Sequence, residues 1–142
     1  MNVTSVLKTK GRTVVTARPE TTILHIAEQL TKHKIGAIIV MGEGGKVAGI
    51  FSERDLVRAI AKHGCEVLQK QVSTVMTRNV VTCEPSDTID DMMDTMTKGR
   101  FRHLPVMEDG ALVGVVSIGD VVKHHIAEVE MEVTAMRYYL NG

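Results

Sequence analysis

One stretch of this chain occurs twice. Val47-Ala48-Gly49-Ile50-Phe51-Ser52-Glu53-Arg54-Asp55 is matched by Leu112-Val113-Gly114-Val115-Val116-Ser117-Ile118-Gly119-Asp120. Each copy reads as an apolar strand broken by one glycine, followed by Ser-x-x-Asp at the spacing that opens a helix. A strand-to-helix turn stated twice limits the chain to folds built from two similar halves, and it points to two equivalent sites.

The repeat extends well beyond these turns. Val14-Val15-Thr16-Ala17-Arg18-Pro19 lies over Val80-Val81-Thr82-Cys83-Glu84-Pro85 at an offset of 66 residues. The same offset carries Ile23, Ile26, Ala27 and Leu30 onto Ile89, Met92, Met93 and Met96, and Ile38 and Val40 onto Leu104 and Val106. The offset drops to 65 by Gly49 and Gly114, because the turn at Gly42–Lys46 is one residue longer than its counterpart. Turns tolerate such drift. Upstream, Val3-Thr4-Ser5-Val6-Leu7 echoes Val72-Ser73-Thr74-Val75-Met76.

Read in order, residues 1–13 form a lead-in with a short helical turn near Thr4–Lys8. Val14–Thr16 is expected as a strand, and a helix follows over about 21–34, with Ile23, Ile26, Ala27 and Leu30 on one face. Ala37–Met41 and Val47–Phe51 form a hairpin, and Ser52 opens a helix ending near His63 and Gly64. The second half repeats the plan: a strand at Val80–Thr82, a helix from Asp87 with Asp87 and Asp90 at capping-box spacing, then strands His103–Met107 and Leu112–Val116. The last helix departs from the repeat by continuing from Gly119 to about Leu140. Its Val122, Ile126, Val129, Val133, Met136 and Leu140 are spaced 4, 3, 4, 3, 4, a heptad seam that one domain does not easily bury. Self-association is the simplest cover for it. The alternative is a tail folded back on its own core.

Composition narrows the function. Lys plus Arg and Asp plus Glu number 17 each, so no net field recruits nucleic acid or an anionic membrane. Aromatic residues make up 3%, without tryptophan, which argues against a base-stacking platform. No secretory leader and no run of transmembrane length is evident, and the expected location is cytoplasmic. Cys65 and Cys83 lack metal-like or C-x-x-C spacing and read as reduced thiols. His124 and His125 are adjacent on a helix and do not face one site, so no metal is expected there.

The two Ser-x-x-Asp turns carry the chemistry. Taken structurally, each is a helix cap in which Ser and Asp satisfy one another's backbone N–H groups. Taken functionally, the same geometry offers a helix N-terminus for phosphate and a carboxylate for a ribose diol. Arg54 adds a phosphate-binding charge to the first turn. The second turn lacks that arginine; Arg100, Arg102 and His103, just before the paired strand, are candidates to replace it.

These residues resemble the CBS domain, and the chain from about Val3 to His125 resembles a tandem CBS pair, or Bateman module. The resemblance rests on Val14-Val15-Thr16, Gly36-Ala37-Ile38-Ile39-Val40 and the first Ser–Asp turn. In the second half it rests on Val80-Val81-Thr82 before Pro85, Arg102-His103-Leu104-Pro105-Val106, Gly110 and the second turn. It implies an α/β (α+β) fold of two βαββα repeats packed with pseudo-two-fold symmetry, leaving two clefts, with an extended C-terminal helix. Residues 1–71 are then the first repeat with its lead-in, 72–125 the second, and 126–142 the helical extension.

The resemblance also implies an adenosyl ligand: AMP first, with ADP, ATP, NAD(H) or S-adenosylmethionine as alternatives, and no metal. Asp55 and Asp120 would hold ribose hydroxyls, with Ser52 and Ser117 near ribose or phosphate. Thr16 and Thr82 would bond the base or sugar edge. Ala37, Ile38, His103, Leu104 and Pro105 would line the adenine slot, and Arg54, Arg102 and His103 would meet phosphate. Ile39 stands where the family often has proline, and Ile118-Gly119 replaces a polar pair, so the two sites are expected to differ. The expected function is a homodimeric, non-catalytic sensor of energy or redox state, acting through ligand-dependent conformation and an effector protein. The main rival is a ligand-free dimeric scaffold that works through its C-terminal seam. A redox role for Cys83 with a nearby histidine is a second rival.

Overall fold

The computed structural model describes residues 1–141. The chain divides into two compact units. One is Val14–Val81, and the other joins Met1–Thr13 to the chain from Thr82 onward. The boundary drawn from the sequence placed the lead-in with the first repeat; its packing is with the second.

The Val14–Val81 unit holds β1 (Thr16–Ala17), α1 (Ile23–His33), β2 (Ala37–Met41), β3 (Val47–Ser52) and α2 (Glu53–His63). Its sheet has the order β1-β2-β3, with β1 parallel and β3 antiparallel to β2. Ile23, Ile26 and Leu30 of α1 fall on one helical face and pack with Ile38, Val40 and Phe51 of the sheet. Thr22 caps α1 by accepting from the His25 N–H, and Lys34 ends it in the left-handed conformation. Short 3-10 turns at Cys65–Gln69 and Val72–Thr74 add Val67 and Val72 to this core.

The other unit begins with an N-terminal helix, αN (Val3–Lys10), and continues with α3 (Ile89–Gly99), β4 (His103–Glu108), β5 (Ala111–Ser117) and α4 (Ile118–Asn141). Asp109 and Gly110, both at positive φ, close the β4–β5 hairpin. The strand expected at Val80–Thr82 does not form. A single bridge joins Cys83 to Val106, with the Cys83 N–H donating to Pro105 O at 2.9 Å and the Met107 N–H to Cys83 O at 2.8 Å. In the first unit β1 likewise starts two residues and ends one residue later than expected, with Ala17 opposite Val40. The valine pairs have strand propensity, but only the residues after them reach the neighbouring strand. The helix expected to start at Asp87 is instead capped by Thr88, the counterpart of Thr22. Asp87 closes the preceding turn, accepting from the Glu84 N–H at 2.7 Å.

The two lead-in segments dock in the same way, each in its own unit. Val72 N–H donates to Thr21 O and Ser73 N–H to Pro19 O; Val3 N–H donates to Asp87 O and Thr4 N–H to Pro85 O. Met76 then lies over Gly49, and Leu7 over Gly114. A Cβ on Gly49 would stand 2.6 Å from Met76 Sδ and 2.8 Å from the Thr77 carbonyl oxygen. For a Cβ on Gly114 the three nearest atoms all belong to the Leu7 side chain, the first at 2.6 Å. These strand glycines are therefore seats for a crossing segment.

Helix α4 runs as far as the heptad pattern predicts. It packs against α3, αN and β5 near its start, and every residue from 129 to 141 is exposed. The tail does not fold back on the core. Among the described residues no helix is long and apolar enough to cross a membrane.

Gly49→Ala should cost about 2–3 kcal/mol in urea unfolding, because a backbone carbonyl has to move. Gly114→Ala should cost about 1 kcal/mol, because Leu7 can change rotamer. Equal losses would contradict this account of the two seats.

Candidate functional site

Both Ser-x-x-Asp turns form the same closed corner. At the first, the Ser52 N–H and Oγ–H donate to Asp55 Oδ2 at 2.9 and 3.1 Å, and the Asp55 N–H donates back to Ser52 Oγ at 3.2 Å. At the second, the Ser117 N–H and Oγ–H both donate to Asp120 Oδ2 at 2.9 Å, and the Asp120 N–H returns to Ser117 Oγ at 3.2 Å. Sequence alone reaches this result, because the residue types and spacing satisfy the orphan donors of a helix start. The corners are tied to the hairpins as well. The Glu53 N–H donates to Gly36 O at 2.9 Å, and the Ile118 N–H to Arg102 O at 2.8 Å. Strand register sets Ala37 opposite Ser52 and His103 opposite Ser117.

The sequence-derived site residues sort by this geometry. Ser52, Asp55 and Ala37 come together in one unit, and Ser117, Asp120 and His103 in the other; all six are half-buried. Arg54 and Arg102 are exposed beside their corners. Thr16 is exposed on β1 opposite Ile39, and Thr82 is exposed just before the Cys83 bridge. Ile38 and Leu104 are fully buried, and Pro105 is buried with them. Those three are core in this structure, because the middle of each inner strand is covered on both faces. Ala37 and His103, at the strand starts, keep some surface.

Sequence reasoning missed Lys10. Its Nζ donates to Asp120 Oδ2 at 2.7 Å and to Val115 O at 2.8 Å. Burial alone would raise the Asp120 carboxyl. The Lys10 ammonium and the Ser117 N–H and hydroxyl outweigh it and hold the carboxyl below the usual range. Asp55 has Arg58, a mostly exposed guanidinium at 3.9 Å. The sequence carried no signal for Lys10: it lies beyond the compared lead-in echo, whose offset of 69, if extended, places it over the uncharged Asn79.

Two other groups were weighed in the sequence. Cys83 is buried, and desolvation, with Asp87 nearby, pushes its thiol up to about 12. It is protonated near neutrality and a poor nucleophile. His124 turns toward its own helix, its Nδ1 2.9 Å from Asp120 O, whereas His125 Nδ1 lies 3.5 Å from Asp90 Oδ1. Asp90, His125 and Glu128 place ligand atoms within 4.8 Å of one another. Glu128 pairs there with the Met1 ammonium and Asp90 is largely exposed, while His125 Nδ1 is buried without a hydrogen-bond partner among the described residues.

The CBS domain profile matches residues 9–62 and 72–126, most of the chain in two tandem copies. The chain belongs to the CBS-domain family. A crystal structure of a CBS-domain protein from Agrobacterium tumefaciens is 51% identical, with a TM-score of 0.85 over 88% of this chain and 99% of that one. The mitochondrial CBS domain-containing protein CBSX3 of Arabidopsis thaliana is 32% identical over 99% of this chain and 72% of its own. Two more distant structures carry ligands. The CBS domain pair of protein MJ0100, with 5′-methylthioadenosine and S-adenosylmethionine, is 27% identical (TM-score 0.80, covering 90% of this chain and 98% of that one). A CBS domain protein from Pyrobaculum aerophilum, with AMP, is 25% identical (TM-score 0.75, covering 84% and 89%). The fold class read from the repeat, an α+β chain of two CBS repeats with a C-terminal helix, is therefore correct.

A carboxyl held below its usual value stabilises the fold above the unfolded pKa of about 3.9 and loses that contribution as pH falls through the folded value. Lys10→Met should therefore cost about 0.5–1 kcal/mol at about pH 6, the range of partly exposed ion pairs. The gap between wild type and variant should close on acidification below about pH 4, measured by urea midpoints at stepped pH. A gap that stays constant to about pH 2 would mean that Asp120 is not the partner that matters.

Proposed function

We propose that this protein is a regulatory sensor that binds adenosyl ligands at its two Ser–Asp corners. The observation that carries this reading is the duplicated corner itself. Each presents a carboxylate at a helix N-terminus, beside a serine and a half-buried strand start, in both units. Such a carboxylate suits a ribose diol, and the positive end of the helix beside it suits a phosphate. The adenosyl ligands named for two related CBS structures support the ligand class. AMP is the first candidate, with ATP, ADP, NAD(H) and S-adenosylmethionine after it.

In this reading Asp55 and Asp120 take ribose hydroxyls, and Ser52 and Ser117 sit at the ribose-phosphate edge. Arg54 and Arg102 meet phosphate, Thr16 and Thr82 bond the base or sugar edge, and Ala37 and His103 face the base, with Ile38, Leu104 and Pro105 as the wall behind. The protein acts in the cytoplasm by ligand-dependent conformation and passes its signal to an effector protein. A ligand can do this only if it prefers one conformation. No nucleophile–base set among the described residues asks for a catalytic reading.

The exposed apolar face of α4 supports a second element, a homodimer joined through this helix. Ile126, Val129, Val133, Met136 and Leu140 are all exposed. The scaffold reading shares this dimer and dispenses with ligand. Val129→Asp should convert a dimer to a monomer in sedimentation equilibrium. A wild type that sediments as a monomer at tens of micromolar would end the dimer proposal.

The ligand test is a thermal-shift panel of AMP, ADP, ATP, NAD, NADH and S-adenosylmethionine on wild type, Asp55→Ala and Asp120→Ala. Each shift is read against that protein's own ligand-free midpoint, since both changes also remove a helix cap. A native-state ligand at a hundred times its Kd contributes about 2.7 kcal/mol, or about 5–10 °C for a chain of this size. We expect one ligand to shift the wild type and at least one aspartate change to remove that shift. If no ligand shifts the wild type at millimolar concentration, and extraction finds none co-purified, the scaffold reading replaces this one.

A further inference from the structure

The second corner lacks the arginine of the first, having Ile118-Gly119 where the first has Glu53-Arg54. Its cation comes instead from the lead-in. Lys10 is the last residue of αN, and αN is fixed to this unit by Leu7 on Gly114 and by the Val3 and Thr4 N–H bonds to Asp87 and Pro85. That docking delivers the Lys10 ammonium to Asp120, where Oδ2 now accepts from Ser117 N, Ser117 Oγ and Lys10 Nζ. In the other unit the echo of Lys10 is Asn79, which carries no charge. The two corners thus share one backbone geometry and differ in one locked ammonium.

We propose that Lys10 makes the Asp120 corner select adenosyl ligands by the charge at their 5′ end, favouring phosphorylated ligands over neutral or cationic ones. The inference rests on the ligand class proposed above. A ribose diol that uses the Asp120 carboxylate competes with Lys10 for it. A 5′-phosphate gives the ammonium a new charged acceptor, within the sweep of a flexible four-carbon stem. A thioether at the 5′ position gives it nothing, and a sulfonium repels it. The Asp55 corner has no such lysine. Its Arg58 is mostly solvated and too far for a hydrogen bond.

The experiment uses full-length protein and two probes that differ at the 5′ position, AMP and 5′-methylthioadenosine, with dissociation constants from calorimetry. Asp55→Ala isolates the Asp120 corner, and Asp120→Ala isolates the other. Lys10→Met is made in both backgrounds, and Lys10→Arg in the first. Circular dichroism and urea midpoints confirm folding, and Asp55→Asn replaces Asp55→Ala if the latter is unfolded.

In the Asp55→Ala protein, Lys10→Met should reduce the preference for AMP over methylthioadenosine by about tenfold, the scale of one charge-assisted hydrogen bond. Lys10→Arg should retain most of it. In the Asp120→Ala protein, Lys10→Met should leave the preference unchanged. An unchanged preference in the Asp55→Ala background overturns the role of Lys10 and leaves the nucleotide reading standing. So does binding that survives only when Asp55 is intact, which would show that the Asp120 corner takes no ligand. Failure of both probes and of the whole nucleotide panel on wild type would overturn the nucleotide reading, and this inference with it.

Discussion

A missing side chain on the second strand of each hairpin governs much of this structure. Gly49 and Gly114 leave room for Met76 and Leu7 to lie directly on the sheet. Once those side chains are seated, the segments that carry them are held in register by paired backbone bonds to Thr21 and Pro19, or to Asp87 and Pro85. In the Val14–Val81 unit the consequence is structural: Thr77 pairs with Ile50 and extends the sheet edge. In the other unit the consequence is chemical, because αN continues for three residues past Leu7 and ends with Lys10 on Asp120. A local steric vacancy in a strand thus determines the charge at a site one turn further along the chain.

The Ser–Asp corners show why a stabilising device and a binding device need not compete. A cap requires an acceptor at the helix start: two Ser52 donors converge on Asp55 Oδ2, and two Ser117 donors with the Lys10 ammonium converge on Asp120 Oδ2. Those donors fix the carboxylate in place before any ligand arrives. A ligand that meets a fixed acceptor is spared the entropy of ordering it. The cap and the ribose acceptor are then one preorganised group.

Much of this was legible in the sequence, and the limits have identifiable causes. The repeat fixed two hairpins and the helices that follow them, because apolar periodicity and turn residues carry that information locally. The cap of α3 was misplaced to Asp87 because carboxylates at i and i+3 look alike whether they cap a helix or close the turn before it. Val80–Thr82 read as a strand from propensity, yet strand formation depends on a partner in reach, and only Cys83 has one. Ile38 and Leu104 are completely buried, a tertiary outcome that alternation along a strand does not reveal. Lys10 lay outside the compared motif, and its meeting with Asp120, 110 residues away, depends on where αN docks.

The C-terminal helix carries the same lesson in reverse, since here the periodicity is clear and the structure leaves it unanswered within one chain. From residue 129 to 141 the helix has no covered face. A thirteen-residue helix without tertiary contacts is only marginally stable in water. Met131, Tyr138 and Tyr139 are also exposed and lie off the heptad seam, so the apolar surface is broader than a two-stranded coiled coil requires. Full burial of one such side chain contributes about 1.5–3 kcal/mol, and the helix offers several at once. The continuation of α4 past Glu128 is therefore marginal unless something covers it. A second copy of the same helix supplies a matching seam of the same length, which is why self-association accounts for the pattern with the fewest added assumptions.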